Sequence, residues 1–368
     1  MKTTIFFLVL LTLFFSFHAL FYLRVIRKLL VRDRLKKIFT VLLIINFLLN
    51  ISYGFVRYSD LLPYEISYLA STSIGISFVL LLYLILHEVI HLFHKSLKNV
   101  QLSKREFIKK SGDTALFALA TSYVTASIYE GSKEPVINIV KTGVFDFSIV
   151  QISDLHIGGL VDEQYVKDSV YKINSLNPDI VVITGDLIDT EIKYISKSIL
   201  KLNNIKSKYG VYMVLGNHEY FHNPYTIIEF IKKNTNIKLL LNESVTIKEL
   251  GVNIVGVTDI FGYRSGVLEP DFNKAFANID KSYPTLLLSH QPKSIEYLGI
   301  HKPELILSGH THGGQLWPFN HLVMLQQPYL KGLHTLSYGG KIYVNSGIGF
   351  WGPPMRLGSQ SEIAYIVK

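Results

Sequence analysis

Residues 3–23, TTIFFLVLLTLFFSFHALFYL, carry no charged side chain over a length sufficient to cross a bilayer. A run like this leaves few options, because in lipid every backbone polar group must be satisfied internally, which a helix achieves. Residues 39–56 repeat the pattern, and so do residues 68–93, interrupted near their end by Glu88. A shorter run, 114–129, includes several small polar residues. The first 130 residues are therefore expected to form a membrane domain with about four transmembrane helices, 3–23, 39–56, 68–93 and 114–129. RVIRKLL follows the first run where a signal peptide would have a small-residue cleavage site, so the run reads as an anchor.

Charge is unevenly spread. Through Gly112 the chain holds fifteen Lys and Arg against five Asp and Glu; from Asp113 onward the balance is twenty-two against twenty-three. The net charge of +9 thus belongs to the membrane part, and the nearly neutral remainder argues against nucleic-acid binding. The basic stretches are 24–37 and 95–110, and the loop between them, 57–67, is close to neutral. The positive-inside rule puts both basic stretches in the cytoplasm, and a fourth crossing puts everything after Glu130 on the extracytoplasmic side of the cell membrane, whereas without that crossing the domain stays in the cytoplasm. SKREFIKK, just before the fourth run, resembles a twin-arginine signal in which Lys104-Arg105 replaces the arginine pair.

After the polar linker EGSKEPV the pattern changes. FSIVQISD, DIVVITGD, GVYMVLGN, VNIVGVTD, TLLLSHQ, ELILSGH, KIYVNSG and EIAYIVK each read as a buried strand, with amphipathic stretches at 162–176 and 224–234 between some of them. Such alternation predicts an α/β domain over residues 146–368, preceded at 131–145 by the linker and a first strand.

Polar side chains collect where these strands end: Asp154 and His156, Asp186, Asn217 and His218, His290, and His310 and His312. Ligands of open α/β sheets bind beyond the carboxyl ends of strands, so these groups are expected along one edge. With no cysteine in the chain, a metal here must use nitrogen and oxygen donors, which suit Mn, Fe, Zn or Mg. An aspartate able to bridge, with nitrogen and oxygen donors to either side, is what two divalent metal ions require.

The series SDLH, GDLID, GNHE, SHQP and GHTHGG resembles the calcineurin-like metallophosphoesterase superfamily, with matching order and spacing over about residues 146–368. The tail YVNSGIGFWGPPMRLGSQSEI and Gln315 resemble its membrane-anchored subgroup, some of whose members resemble UDP-2,3-diacylglucosamine pyrophosphatases. The resemblance implies two mixed β-sheets sandwiched between helices. It implies that Asp154, His156 and His312 hold one metal, Asn217, His290 and His310 the other, and that Asp186 bridges them. His218 would lie beside the scissile phosphate as the catalytic residue, stabilising its charge or protonating the leaving oxygen; Gln315 is a candidate substrate contact, as is His222 from its closeness to GNHE. The expected activity is hydrolysis of a phosphoester or pyrophosphate by metal-activated water, on a lipid-linked substrate such as UDP-2,3-diacylglucosamine. The bilayer is the only other expected partner, with no protein partner predicted. The alternative is a non-catalytic membrane sensor or scaffold built on a metal-binding domain.

HEVIH, residues 87–91, matches a zinc-protease pattern, but no third ligand motif accompanies it, and it reads as the polar end of a helix. His301, His321 and His334 lack partner spacing and read as loop residues. Leu316, Trp317, Phe319, Leu322, Met324, Phe350 and Trp351 lie close in sequence to the metal-ligand candidates, either as core or as a lipid-facing rim.

Overall fold

Four helices open the chain: α1 (Lys2–Arg24), α2 (Asp33–Tyr58), α3 (Tyr64–Ser96) and α4 (Leu102–Gly131). The computed structural model describes residues 2–58, 63–96 and 101–368, so the loop 57–67 and the basic stretch 95–110 lie partly outside the described residues. Among those described, three segments are long and apolar enough to span a membrane: Leu8–Lys28, Asp33–Gly54 and Tyr64–Phe93. The expected fourth span falls within α4, whose amino-terminal half carries Lys104, Arg105, Glu106, Lys109, Lys110 and Asp113. That charge shortens its apolar run, and α4 is not among the three.

The first three helices share a buried polar chain. Asn46 on α2 lies 3.1 Å from His18 Nε2 on α1 and donates to Ser77 Oγ on α3 at 2.7 Å; Asn50 donates to the same hydroxyl at 2.6 Å. Ser73 Oγ donates to Asn50 Oδ1 at 2.9 Å. Such contacts fix helix register where apolar packing alone discriminates poorly.

Within HEVIH, Glu88 is bidentate with Arg24, through Nε at 2.9 Å and through Nη2. His87 Nε2 lies 3.8 Å from Asp113 Oδ1. Among the described residues, no group of three potential metal donors includes either histidine of the motif. An ion-paired Glu88 is a poor general base, which agrees with the reading of HEVIH as a polar helix end.

The chain divides into two compact units, residues 1–129 with 352–355, and residues 130–351 with 356–368. The second holds twelve strands: β1 (Val136–Lys141), β2 (Ile149–Ile152), β3 (Ile180–Thr184), β4 (Val211–Val214), β5 (Ile237–Leu239), β6 (Glu243–Ile247), β7 (Val252–Gly256), β8 (Thr285–Leu288), β9 (Leu305–Ser308), β10 (Gly332–Thr335), β11 (Lys341–Val344) and β12 (Glu362–Val367). They form two six-stranded mixed sheets, ordered β1-β12-β2-β3-β4-β5 and β10-β11-β9-β8-β7-β6. In the first, β2 through β5 run parallel and β12 is antiparallel to β2; in the second, β7, β8, β9 and β11 run parallel, with β6 and β10 antiparallel at the edges.

Alternation along the strands explains the layers. Ile180 and Val182 of β3 join Val214 of β4 and Ile254, Leu286, Leu288, Leu305 and Leu307 of the facing sheet in one core. Val181 and Ile183 point the other way, against Val166, Val170 and Ile173 of α5 (Glu163–Ser175) and Ile195 and Ile199 of α6 (Ile192–Leu200). On the outer face of the second sheet, Val255, Leu287, Ile306 and Ile342 pack with Phe272 and Phe276. Buried on both faces, the central parallel strands must be apolar throughout, hence runs such as IVVIT. The expected sandwich of two mixed sheets is the observed architecture, and the stretches 162–176 and 224–234 form α5 and, after the single-turn helix α7 (Asn217–Phe221), α8 (Pro224–Asn234).

Candidate metal centre

Where β2, β3, β4, β8 and β9 end, the backbone turns sharply. Asp154, His156, Asp186, His310 and His312 all adopt left-handed φ values, between 49° and 71°. Non-glycine residues are uncommon in this region, and such conformations persist only where the surroundings enforce them. Part of that enforcement is close packing: a Cβ on Gly309 would fall 2.4 Å from Asp154 Oδ2, and one on Gly216 would fall 2.2 Å from Asp186 Oδ1.

The turns bring donors of the two sheets together. His156 Nε2 lies 3.1 Å from His312 Nε2, which is 3.5 Å from Asp154 Oδ1. Nearby, His290 Nε2 lies 3.2 Å from Asp186 Oδ2, 3.1 Å from Asn217 Oδ1 and 3.2 Å from His310 Nδ1. His156 Nε2 and His218 Nε2 stand 3.9 and 3.8 Å from Asp186 Oδ2, so that carboxylate lies between the two sets. All seven ligand candidates are thus gathered at one seam, along with His218.

These spacings suit ions. Ligands about 2.1 Å from one centre lie roughly 3.0–3.4 Å apart in octahedral or tetrahedral arrangements. Tautomer logic agrees: His290 Nδ1 donates to Thr184 O at 2.8 Å, so a neutral ring would aim its Nε2 lone pair at the Asp186 carboxylate. A cation or a proton must separate them. The same electrostatics appear in the protonation of the ion-free protein. Burial alone would raise Asp186, but His290, then His218, hold it well below the usual carboxylate range. Burial opposes the charge on His290, and Asp186 overrides it, raising His290 well above an ordinary histidine. Burial, then the His290 charge, pushes His310 down to about 3, and burial with His156 and Arg356 depresses His312, leaving both rings neutral.

Three buried or half-buried groups not singled out in the sequence hold this arrangement. Asp189 Oδ1 accepts from His156 Nδ1 at 2.9 Å and from His218 Nδ1 at 2.5 Å, aiming both Nε2 atoms into the seam. Glu219 accepts from the backbone N–H groups of Asp186, Leu187, Ile188 and Gly216, at 2.6 to 3.2 Å, tying the loops after β3 and β4 together. Arg356, fully buried, donates to the carbonyls of Ser346, Gly347 and Gly349, and its Nη2 lies 3.5 Å from His312 Nδ1. The carboxylates follow ligand candidates within three residues, a detectable signal; Arg356, forty-four residues beyond His312, gives none.

Of the two expected substrate contacts, His222 is half-buried at the end of α7. Gln315 is buried, donating to Trp351 O at 3.1 Å and accepting from Trp351 N at 2.9 Å, so its amide braces the 350–351 loop. His301 and His334 stack on Phe276 and Tyr329, and neither joins a group of three potential metal donors among the described residues.

A two-sheet sandwich with clustered His and Asp donors at its strand ends defines a metal-binding domain of α/β type. Residues 147–314 match the model of the calcineurin-like phosphoesterase family. An uncharacterised metallophosphoesterase of Campylobacter jejuni is 34% identical, over 98% of this chain and 97% of that protein. A transmembrane protein with metallophosphoesterase domain from Bos taurus is 31% identical over 69% of this chain and 62% of its own length. The UDP-2,3-diacylglucosamine pyrophosphatase LpxG of Chlamydia muridarum is 30% identical, over 70% of this chain and 97% of that enzyme. The chain belongs to the calcineurin-like phosphoesterase family and is a metal-dependent phosphoesterase using divalent ions.

Proposed function

We propose that this chain is a multi-pass, membrane-anchored phosphohydrolase with a dinuclear metal centre, acting on a phosphoester or pyrophosphate of a lipid-linked substrate. Asp154, His156 and His312 would hold one ion, Asn217, His290 and His310 the other, and Asp186 would serve both. The observation that carries this is the pair of donor sets, with nearest donors 3.1–3.5 Å apart and Asp154 Oδ1 4.0 Å from His156 Nε2, and the Asp186 carboxylate within 3.2–3.9 Å of a histidine of each. Mn, Fe, Zn and Mg all suit nitrogen and oxygen donors of this kind. When bound, such ions would supply Lewis acidity toward a phosphoryl oxygen and would lower the pKa of a water molecule at the site.

The protein groups do the rest. His218, held at Nδ1 by Asp189, presents Nε2 toward the seam and, as imidazolium, delivers that proton to the leaving oxygen. Asp189 stabilises the cation meanwhile. The lipid-linked substrate is supported by the three apolar helices and by the activity named for the Chlamydia relative, UDP-2,3-diacylglucosamine hydrolysis being the most specific candidate. The charge distribution of the loops favours an extracytoplasmic domain if the apolar half of α4 completes a fourth crossing, and a cytoplasmic one if it does not.

The test uses the full-length chain in detergent, supplied with Mn²⁺, against bis-p-nitrophenyl phosphate, p-nitrophenyl phosphate and UDP-2,3-diacylglucosamine, beside Asp186→Ala. Metal-dependent cleavage lost in the variant is expected. Stoichiometric metal binding without cleavage of any of the three would return the chain to the sensor or scaffold alternative.

A further inference from the structure

Beside the donor turns stands an apolar collar. Trp317, Leu322, Met324, Leu325 and Trp351 are between 44% and 81% exposed, and the short helix Asn320–Val323 buries none of its residues. The five belong together in space: the Phe319 and Trp351 rings lie 5.7 Å apart, Trp317 N donates to Leu357 O at 2.9 Å, and Leu322 N donates to Phe319 O. The collar also belongs to the site. It begins at Gln315, which closes the turn carrying His312 and grips the Trp351 backbone from both sides. Grouped, exposed, large apolar side chains mark contact surfaces.

Charge narrows the occupant. From Leu305 to Ser361 the chain contains no Asp or Glu, and the exposed Lys331 donates to Gly358 O, next to Leu357, whose carbonyl accepts from Trp317 N. An apolar surface with a lysine at its rim complements an anionic amphiphile. Because the collar continues directly from the donor turn, an amphiphile whose phosphate sits in the seam has its apolar part beside the collar. We infer that the collar receives the acyl chain of a phosphate-bearing lipid whose phosphate occupies the donor site. The inference rests on the phosphohydrolase reading for what sits at the seam.

The chain's two tryptophans, Trp317 and Trp351, both lie in the collar, so its tryptophan emission, excited selectively over tyrosine, reports on it alone. Full-length protein in phosphatidylcholine vesicles is titrated with ω-bromoundecyl phosphate, whose bromine quenches tryptophan on contact. Saturable quenching is expected, and Leu322→Asp with Leu325→Asp should raise the half-quenching concentration about tenfold or more. The cationic ω-bromoundecyltrimethylammonium should quench far more weakly. Absent quenching, or equal quenching by both amphiphiles in wild type and variant, overturns the inference, as does a concentration-dependent dimer that hides the collar. Turnover of p-nitrophenyl phosphate is measured in parallel and should be unchanged in the variant, which also reports its folding. If that turnover is lost, Leu325→Asp alone, at the most exposed position of the collar, provides the same readout. Quenching without turnover in wild type would sink the catalytic reading and spare the collar; turnover without quenching does the reverse.

Discussion

The carboxylate of Asp189 and the imidazole of His218 meet at 2.5 Å, and the same Oδ1 accepts from His156 Nδ1. One oxygen thus sets the tautomer of two rings that face the same seam. Replacing Asp189 with Ala releases both. Activity or metal affinity should fall about 10–100-fold, as is typical when the partner of a ligating histidine is removed. Metal titration of the purified variant checks it; wild-type affinity and turnover would show that the rings hold their orientation without the carboxylate.

His218→Ala separates the acid from the ligands. Turnover should drop about 10²–10⁴-fold while bound metal, read by elemental analysis, stays at the wild-type level. Loss of metal in that variant would make His218 a ligand instead.

Ion uptake should release protons. In the ion-free protein Asp186 holds His290 protonated well above the usual histidine range, and an ion that takes Nε2 must displace that proton. Affinity therefore rises with pH until the raised His290 pKa is passed, and falls on acidification. Calorimetry in Pipes and in Tris near neutral pH should give heats that differ in proportion to the buffers' ionisation enthalpies. Identical heats would mean that the ring is already neutral.

Glu219→Gln should destabilise the second unit by about 3 kcal/mol or more, because four buried N–H groups lose a charged acceptor and meet an amide that offers one oxygen. Denaturant unfolding measures it. A change below about 1 kcal/mol would mean that the four groups find other acceptors.

Much of this was legible in the residues. The eight apolar runs all became strands, because strands buried on both faces have no polar alternation to hide them. β5, β6 and β10 were not visible: β5 spans three residues at the sheet edge, and β6 and β10 are half-exposed edge strands. The ligand candidates stood out because each follows a strand directly. What periodicity cannot display is the backbone strain at Asp154 or His312, or an arginine reaching back from position 356 to brace the loop beside His312. Both arise from long-range packing. The α4 segment shows a related limit, since its apolar half reads as a span while its charged half belongs to the same continuous helix.

The donors come from both layers of the sandwich: Asp154, Asp186 and Asn217 from the ends of β2, β3 and β4, and His290, His310 and His312 from the ends of β8 and β9. Whatever is clasped at the seam has one foot in each sheet. Sliding one layer past the other by a single residue, about 3.3 Å, would part every cross-sheet pair at once. The chemistry and the alignment of the two halves therefore stand or fall as one, and a lesion deep in the interlayer core at Val182 or Leu307 can silence catalysis without touching a single ligand.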